Sequence, residues 1–117
     1  MGAVADHLTP WRACYRTTQL LAGNATFVLS YSGHIASLIN PPGNPKAHYW
    51  SGGPPGADPD TWLERASRSQ GSWWEAWARW ITPRSGALTT APTAAGDADH
   101  PALDPAPGRY VVTTPAS

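Results

Sequence analysis

The chain has 117 residues, enough for one small domain at most and short for a complete α/β enzyme domain. Lys+Arg and Asp+Glu are equal at 8 each, and no basic run or aromatic–basic stripe occurs, which argues against a nucleic-acid binder held by phosphate contacts. The single cysteine, Cys14, rules out an internal disulfide, no zinc-type Cys/His spacing exists, and no apolar run approaches the ~20 residues that cross a bilayer. The opening MGAVADH has no basic region followed by an apolar core, so no signal peptide and a cytoplasmic location are expected.

In chain order, Thr9 fits an N-cap and Pro10 a first helical residue. The spacing of Trp11, Tyr15, Thr18 and Leu21 or Ala22 predicts a helix over 11–22, closed by Gly23. The run from Asn24 to Tyr31 is rich in β-branched and aromatic residues and predicts a strand, apolar enough on both sides for the interior of a parallel sheet. Ser32-Gly33-His34 follows it, and a helical turn over 35–40 is stopped by Pro41-Pro42. Gly and Pro then predict a loop over 41–55.

Asp58-Pro59-Asp60 marks a helix start, with the helix reaching about Ser69 and Gly71 breaking it. Ser72 and Glu75 fit a capping box for a further helix ended by Pro83. Trp73, Trp77, Trp80 and Ile81 form one apolar face there, read chiefly as core and alternatively as a surface that meets polymer or a partner. The Ala/Thr/Pro-rich stretch 84–104 reads as a disordered linker, and Pro105–Val112 as an extended segment able to dock. The expected organisation is a folded part over 1–83, a linker over 84–104 and a tail over 105–117.

The chemistry-bearing order is acid, helix, strand, histidine. Asp6 precedes the first helix and His34 follows the strand, 28 positions later. One βαβ step would bring them to neighbouring strand ends, where doubly wound sheets gather catalytic groups. A carboxylate and an imidazole in contact make a general base whose tautomer is fixed. Taken alone, this pattern also fits a cap-region acid and a structural histidine. His7 reads as a solvated neighbour of Asp6, His48 as a loop residue or a channel-lining one, and His100 as inert in the linker.

Three motifs narrow the reading: DHLTPW (6–11), FVLSYSGHIASLINPPGNPKAHYW (27–50) and GSWWEAWARWI (71–81), with a terminal PAPGRYV (105–111). In these the chain resembles the polyhydroxyalkanoate synthases, also called poly(3-hydroxyalkanoate) polymerases, over nearly its whole length outside the linker. The resemblance implies the C-terminal portion of an α/β-hydrolase fold, with an incomplete parallel sheet, flanking helices and a disordered tail. It implies a Cys-His-Asp triad that transfers (R)-3-hydroxyacyl groups from CoA thioesters to a growing polyester, with no cofactor and no metal, since acyl-CoA is the substrate. The family acid falls on Asp6 and the family histidine on His34.

The family's nucleophile elbow, G-x-C-x-G, is absent from these residues. Cys14 lies in R-A-C-Y-R inside a predicted helix and reads as a packing residue. The thiol is therefore expected from a separate N-terminal portion, with the 117 residues inactive alone. The implied surroundings are the cytoplasm and the surface of polyester granules, and a homodimer stays open. Two other readings remain: a non-catalytic piece that binds granules or complements a separate chain, and a piece of an esterase or thioesterase.

Overall fold

The computed structural model describes residues 1–114, so the end of the tail expected over 105–117 lies outside the described residues. The chain divides into a unit over 1–86 and a second from Ala87 onward. The described residues of the second unit carry an isolated bridge between Gly96 and Pro101 and a 3₁₀ turn over Tyr110–Val112, and none of them is buried.

The first unit is a mixed α/β structure on a four-stranded sheet. Its strands are β1 (Gly2–Ala3), β2 (Val28–Ser30), β3 (His48–Ser51) and β4 (Ser67–Gln70), side by side in that order. β1 runs parallel to β2, with Gly2 opposite Leu29 and Ala3 opposite Ser30. β3 and β4 are antiparallel to their neighbours, Leu29 facing Trp50 and Trp50 facing Arg68. The expected parallel sheet therefore holds only at β1–β2. Elsewhere the connections stay at one end of the sheet. The short α2 (His34–Leu38) and a Pro/Gly turn bring the chain back beside the end of β2. After α3 (Pro59–Arg65), only Ala66 separates helix from strand, so β4 begins beside the end of β3.

Local chemistry explains most element bounds. Asp58 caps α3 by accepting the Thr61 amide at 2.7 Å, with Pro59 in the first turn, and the Thr61 side chain first and its amide second hold the Asp58 carboxyl below its usual range. The expected helix to Ser69 stops at Arg65, because 67–70 pairs with β3 instead. The expected loop over 41–55 contains β3, whose His48, Tyr49 and Trp50 suit a strand. The helix expected over 11–22 is α1 (Trp11–Arg16) followed by a 3₁₀ turn over Thr17–Gln19, and the strand expected over 24–31 contracts to β2.

The core lies between α1, α3 and one face of the sheet. Trp11 and Tyr15 of α1 meet Phe27, Leu29 and Trp62, with Cys14, Trp50, Leu63 and Ala66 packed around them. The rings of Tyr15, Phe27 and Trp62 contact one another with centroids 5.0–5.6 Å apart. Tyr15 is fully enclosed, its hydroxyl donates to the Gly56 carbonyl at 2.9 Å, and burial pushes its phenol pKa up. Gly2 is needed where β1 crosses this cluster: a Cβ there would sit 2.9 Å from Phe27 Cζ. Arg12 of α1 reaches Asp60 of α3 through Nε at 3.0 Å and Nη2 at 2.6 Å, but both side chains are exposed and the pair adds little.

Candidate active site

The β1–β2 pairing delivers the two chemistry-bearing residues to one place. Its ladder continues beyond the strands, Val4 N donating to Ser30 O at 2.9 Å and Ala5 N to Ser32 O at 3.1 Å. Asp6 thus leaves the end of β1 beside the Ser32-Gly33 turn that opens α2. His34 is the first residue of α2, and its Nδ1 lies 2.8 Å from Asp6 Oδ2. The neighbouring strand ends inferred from spacing are the ones observed.

Asp6 is saturated as an acceptor. Oδ1 takes the amides of Leu8 at 2.9 Å and Thr9 at 3.0 Å, while Oδ2 takes the Thr9 hydroxyl at 2.5 Å beside the imidazole. Its side chain is 6% exposed, that of His34 41%. The Thr9 hydroxyl above all holds the Asp6 carboxyl far below its ordinary value; His34 and the two amides add to this, against the opposing effect of burial. An ionised carboxylate can only accept, so the hydrogen of this contact belongs to His34 Nδ1. The Nε2 lone pair of the neutral ring is then left to take a proton. An imidazole held in that way by a carboxylate has the arrangement that can serve as a general base.

Thr9 is the residue that sequence reasoning placed wrongly. The N-cap of α1 is Pro10, without a side-chain cap bond, and the Thr9 hydroxyl goes to Asp6 instead. The signal was present: an Asp whose side chain takes amides two and three residues on folds its own turn.

The other candidates separate clearly. His7 is exposed, and the imidazole that meets Asp6 is that of His34. His48 lies in β3, not a loop, with its ring 4.9 Å from Tyr31 and 5.1 Å from Trp50. His100 stands 3.4 Å from Asp97 in the second unit, both exposed. Cys14 sits in α1 against the core with its sulfur 3.7 Å from the Thr9 carbonyl, as a packing residue would. Among the described residues, no three His, Cys, Asp or Glu side chains converge as metal ligands would, and no helix is long and apolar enough to cross a membrane.

The tryptophan helix, α4 (Trp73–Ile81), departs from its expected core role. None of its residues is buried, and Trp77 and Trp80 are 53% and 46% exposed. Its first turn is tied down: Ser72 caps it by accepting the Trp74 amide, and the indoles of Trp73 and Trp74 donate to α2. The Ser72 hydroxyl takes the amide of Trp74 and not that of Glu75, and Glu75 adds no reciprocal bond, so a simple serine cap stands in place of the expected capping box. The later turns border an apolar groove of about 740 Å³ lined by Cys14, Phe27, Val28, Trp73, Trp77 and Trp80. Phe27, Val28 and Ser51 place this groove at the opposite end of the strands from Asp6 and His34.

No family model matches the chain. It is 55% identical over 108 residues, 92% of its length, to poly(3-hydroxyalkanoate) polymerase 2 of Ectopseudomonas oleovorans, and covers 19% of that protein. The chain is a relative of the poly(3-hydroxyalkanoate) polymerases. Polymerase subunit PhaC of Cupriavidus necator is 44% identical over 110 residues, 94% of this chain and 19% of the relative. The polymerase of Methylorubrum extorquens is 36% identical over 108 residues, 91% of the chain and 18% of the relative. The chain thus spans about one fifth of the length of the curated polymerases it matches.

Proposed function

We propose that this chain supplies the acid and the base of a polyhydroxyalkanoate synthase, as the C-terminal part of an α/β-hydrolase-like catalytic domain. The observation that carries the reading is the Asp6–His34 contact at the ends of the two parallel strands, in a relative of the polymerases. In this reading 1–83 belongs to the catalytic domain, 84–104 is a linker and 105–117 a tail. Its place of work is the cytoplasmic face of a polyester granule.

The substrates are an (R)-3-hydroxyacyl-CoA and the end of a polyester chain. A cysteine from another part of the polymerase attacks the thioester carbonyl. His34 Nε2 takes the thiol proton and returns it to the departing CoA sulfur. His34 next takes the proton of the hydroxyl that attacks the acyl-enzyme; the new ester forms as the bond to the cysteine sulfur breaks, His34 returns the proton to that sulfur, and Asp6 stabilises the imidazolium each time. Leu8, Ile35, Leu38 and Ile39, on the segments that carry the pair, are exposed apolar side chains suited to an acyl chain.

The test exchanges this chain for the matching segment of the Cupriavidus necator polymerase. CoA release from 3-hydroxybutyryl-CoA is expected from the hybrid and not from the 117 residues alone. Turnover by the isolated chain would overturn the division of the triad. An intact, folded hybrid without turnover would overturn the assignment of acid and base.

The exposed Trp77 and Trp80 beside an apolar groove favour a second role, contact with granules or a partner chain. Trp77→Ala lies on the surface and leaves the fold intact. It is expected to reduce co-sedimentation of the chain with polyester granules; unchanged co-sedimentation rules out this face as the contact.

A further inference from the structure

The helix that carries His34 is five residues long, too short to hold itself in water. At its two ends Ser37 N donates to Gly33 O at 3.0 Å and Ile39 N to Ile35 O at 2.9 Å. The last carbonyls of a helix find no partner within it and must be met from outside. Here the donors come from one place. Trp73 Nε1 donates to Ser37 O at 2.6 Å, Trp74 Nε1 donates to Leu38 O at 2.9 Å, and the Ser72 hydroxyl donates to Asn40 O. The same hydroxyl accepts the Trp74 amide at 3.1 Å, so the cap of α4 and the end of α2 share one oxygen. Ser37, Asn40 and Ser72 are buried, which makes the bonds to Ser37 O and Asn40 O costly to lose.

We infer that Ser72, Trp73 and Trp74 are positioning residues that clamp the far end of α2 and thereby hold His34 Nδ1 against Asp6. The inference rests on the acid–base reading of that pair. α2 is tied to the sheet through the Ser32-Gly33 turn on one side and Pro41 on the other, and no residue between Ile35 and Ile39 except Ser37 is buried. A helix this small moves as one piece. Release of its C-terminal carbonyls lets the whole turn slide, and the imidazole at its first residue slides with it. A shift of about 1 Å suffices to spoil a proton-transfer geometry. Two indoles on successive residues, both reaching carbonyls on the same short helix, fix its rotation as well as its position.

The experiment is ¹⁵N NMR of the histidine rings in the full chain, with the His34 signals assigned through His34→Gln. The parent is expected to show Nδ1 protonated and Nε2 bare. The double variant W73F/W74F keeps a smaller aromatic ring at each position and removes both N–H donors. Its two His34 nitrogens are expected to converge toward the averaged shifts of a freely exchanging imidazole, whereas Trp77→Phe on the same helix leaves them in place. Should the double variant fail to fold, Ser72→Ala carries the test: the same convergence is expected, with Ser72→Thr restoring the parent pattern. A parent-like His34 pattern in both variants, with only the thermal midpoint lowered, would overturn the clamp and leave a plain helix anchor. Asp6→Asn separates the two layers. If it leaves the His34 pattern unchanged, the acid–base reading fails and the clamp falls with it. If it moves the pattern while W73F/W74F does not, the clamp alone fails.

Discussion

Asp6→Asn in the hybrid polymerase is expected to lower the rate of CoA release by about 10⁴-fold while the fold persists. The reason is a reversal of polarity at one atom. The carbonyl of Asn can go on accepting the Leu8 and Thr9 amides that Oδ1 accepts now. Its NH₂ group then occupies the place of Oδ2, facing Thr9 and His34 Nδ1. The Thr9 hydroxyl can turn and accept. The imidazole meets a donor with a lone pair, which puts its own hydrogen on Nε2 and removes the base. His34→Gln removes the base outright and is expected to be at least as damaging. A fall of less than about tenfold in either variant would place the pair outside the proton-transfer steps, since general acid–base groups contribute about 10²–10⁴-fold.

The pH dependence of this pair follows from its hydrogen bonds. Thr9, His34 and two amides favour the ionised form of Asp6, so its folded-state pKa lies below the unfolded one. The stability this contributes is fully present above the unfolded value of about 4 and is lost as pH falls through the depressed value. Asp6 therefore stays ionised at neutral pH and well below it. An acidic loss of activity above about pH 4 has its origin elsewhere.

Phe27→Ala is expected to cost about 3–5 kcal/mol, a large part of the 5–15 kcal/mol of an ordinary domain. Phe27 is 1% exposed and stands edge-on to both Tyr15 and Trp62. It also fills the space that Gly2 leaves open. Removing the ring therefore vacates the meeting point of α1, α3, β1 and β2, where rigid aromatic neighbours collapse poorly. Urea unfolding followed by tryptophan fluorescence measures the loss. A cost near the ~1 kcal/mol of an average substitution would mean that the three-ring cluster is not the centre of the core.

Legibility in the sequence tracked how much of each element is set by its own residues. The starts of α3 and α4 were readable because Asp and Ser act within one turn, and that of α1 was readable to within one residue from Pro10. That Asp6 and His34 come together was readable because the β1–α1–β2 step is local. β4 was not: Ser67, Arg68, Ser69 and Gln70 carry no apolar alternation, and they form a strand only because β3 offers an edge. β3 was hidden by the glycines and prolines around it. The direction of these two strands was equally out of reach, since it depends on how short the connections are in space. What the apolar face of α4 packs against was out of reach, because an apolar stripe predicts burial without saying against what.

The strand that brings the acid to the base is two residues long, at the edge of the sheet. Short edge elements open locally at a fraction of the free energy needed to unfold the whole. Each time β1 lifts from β2, Asp6 leaves His34 while the ring cluster of Tyr15, Phe27 and Trp62 still contains three of its members in place. Within these residues the Asp6–His34 contact is held by the shortest pairing of the sheet, and heat separates the two side chains before it unfolds the core.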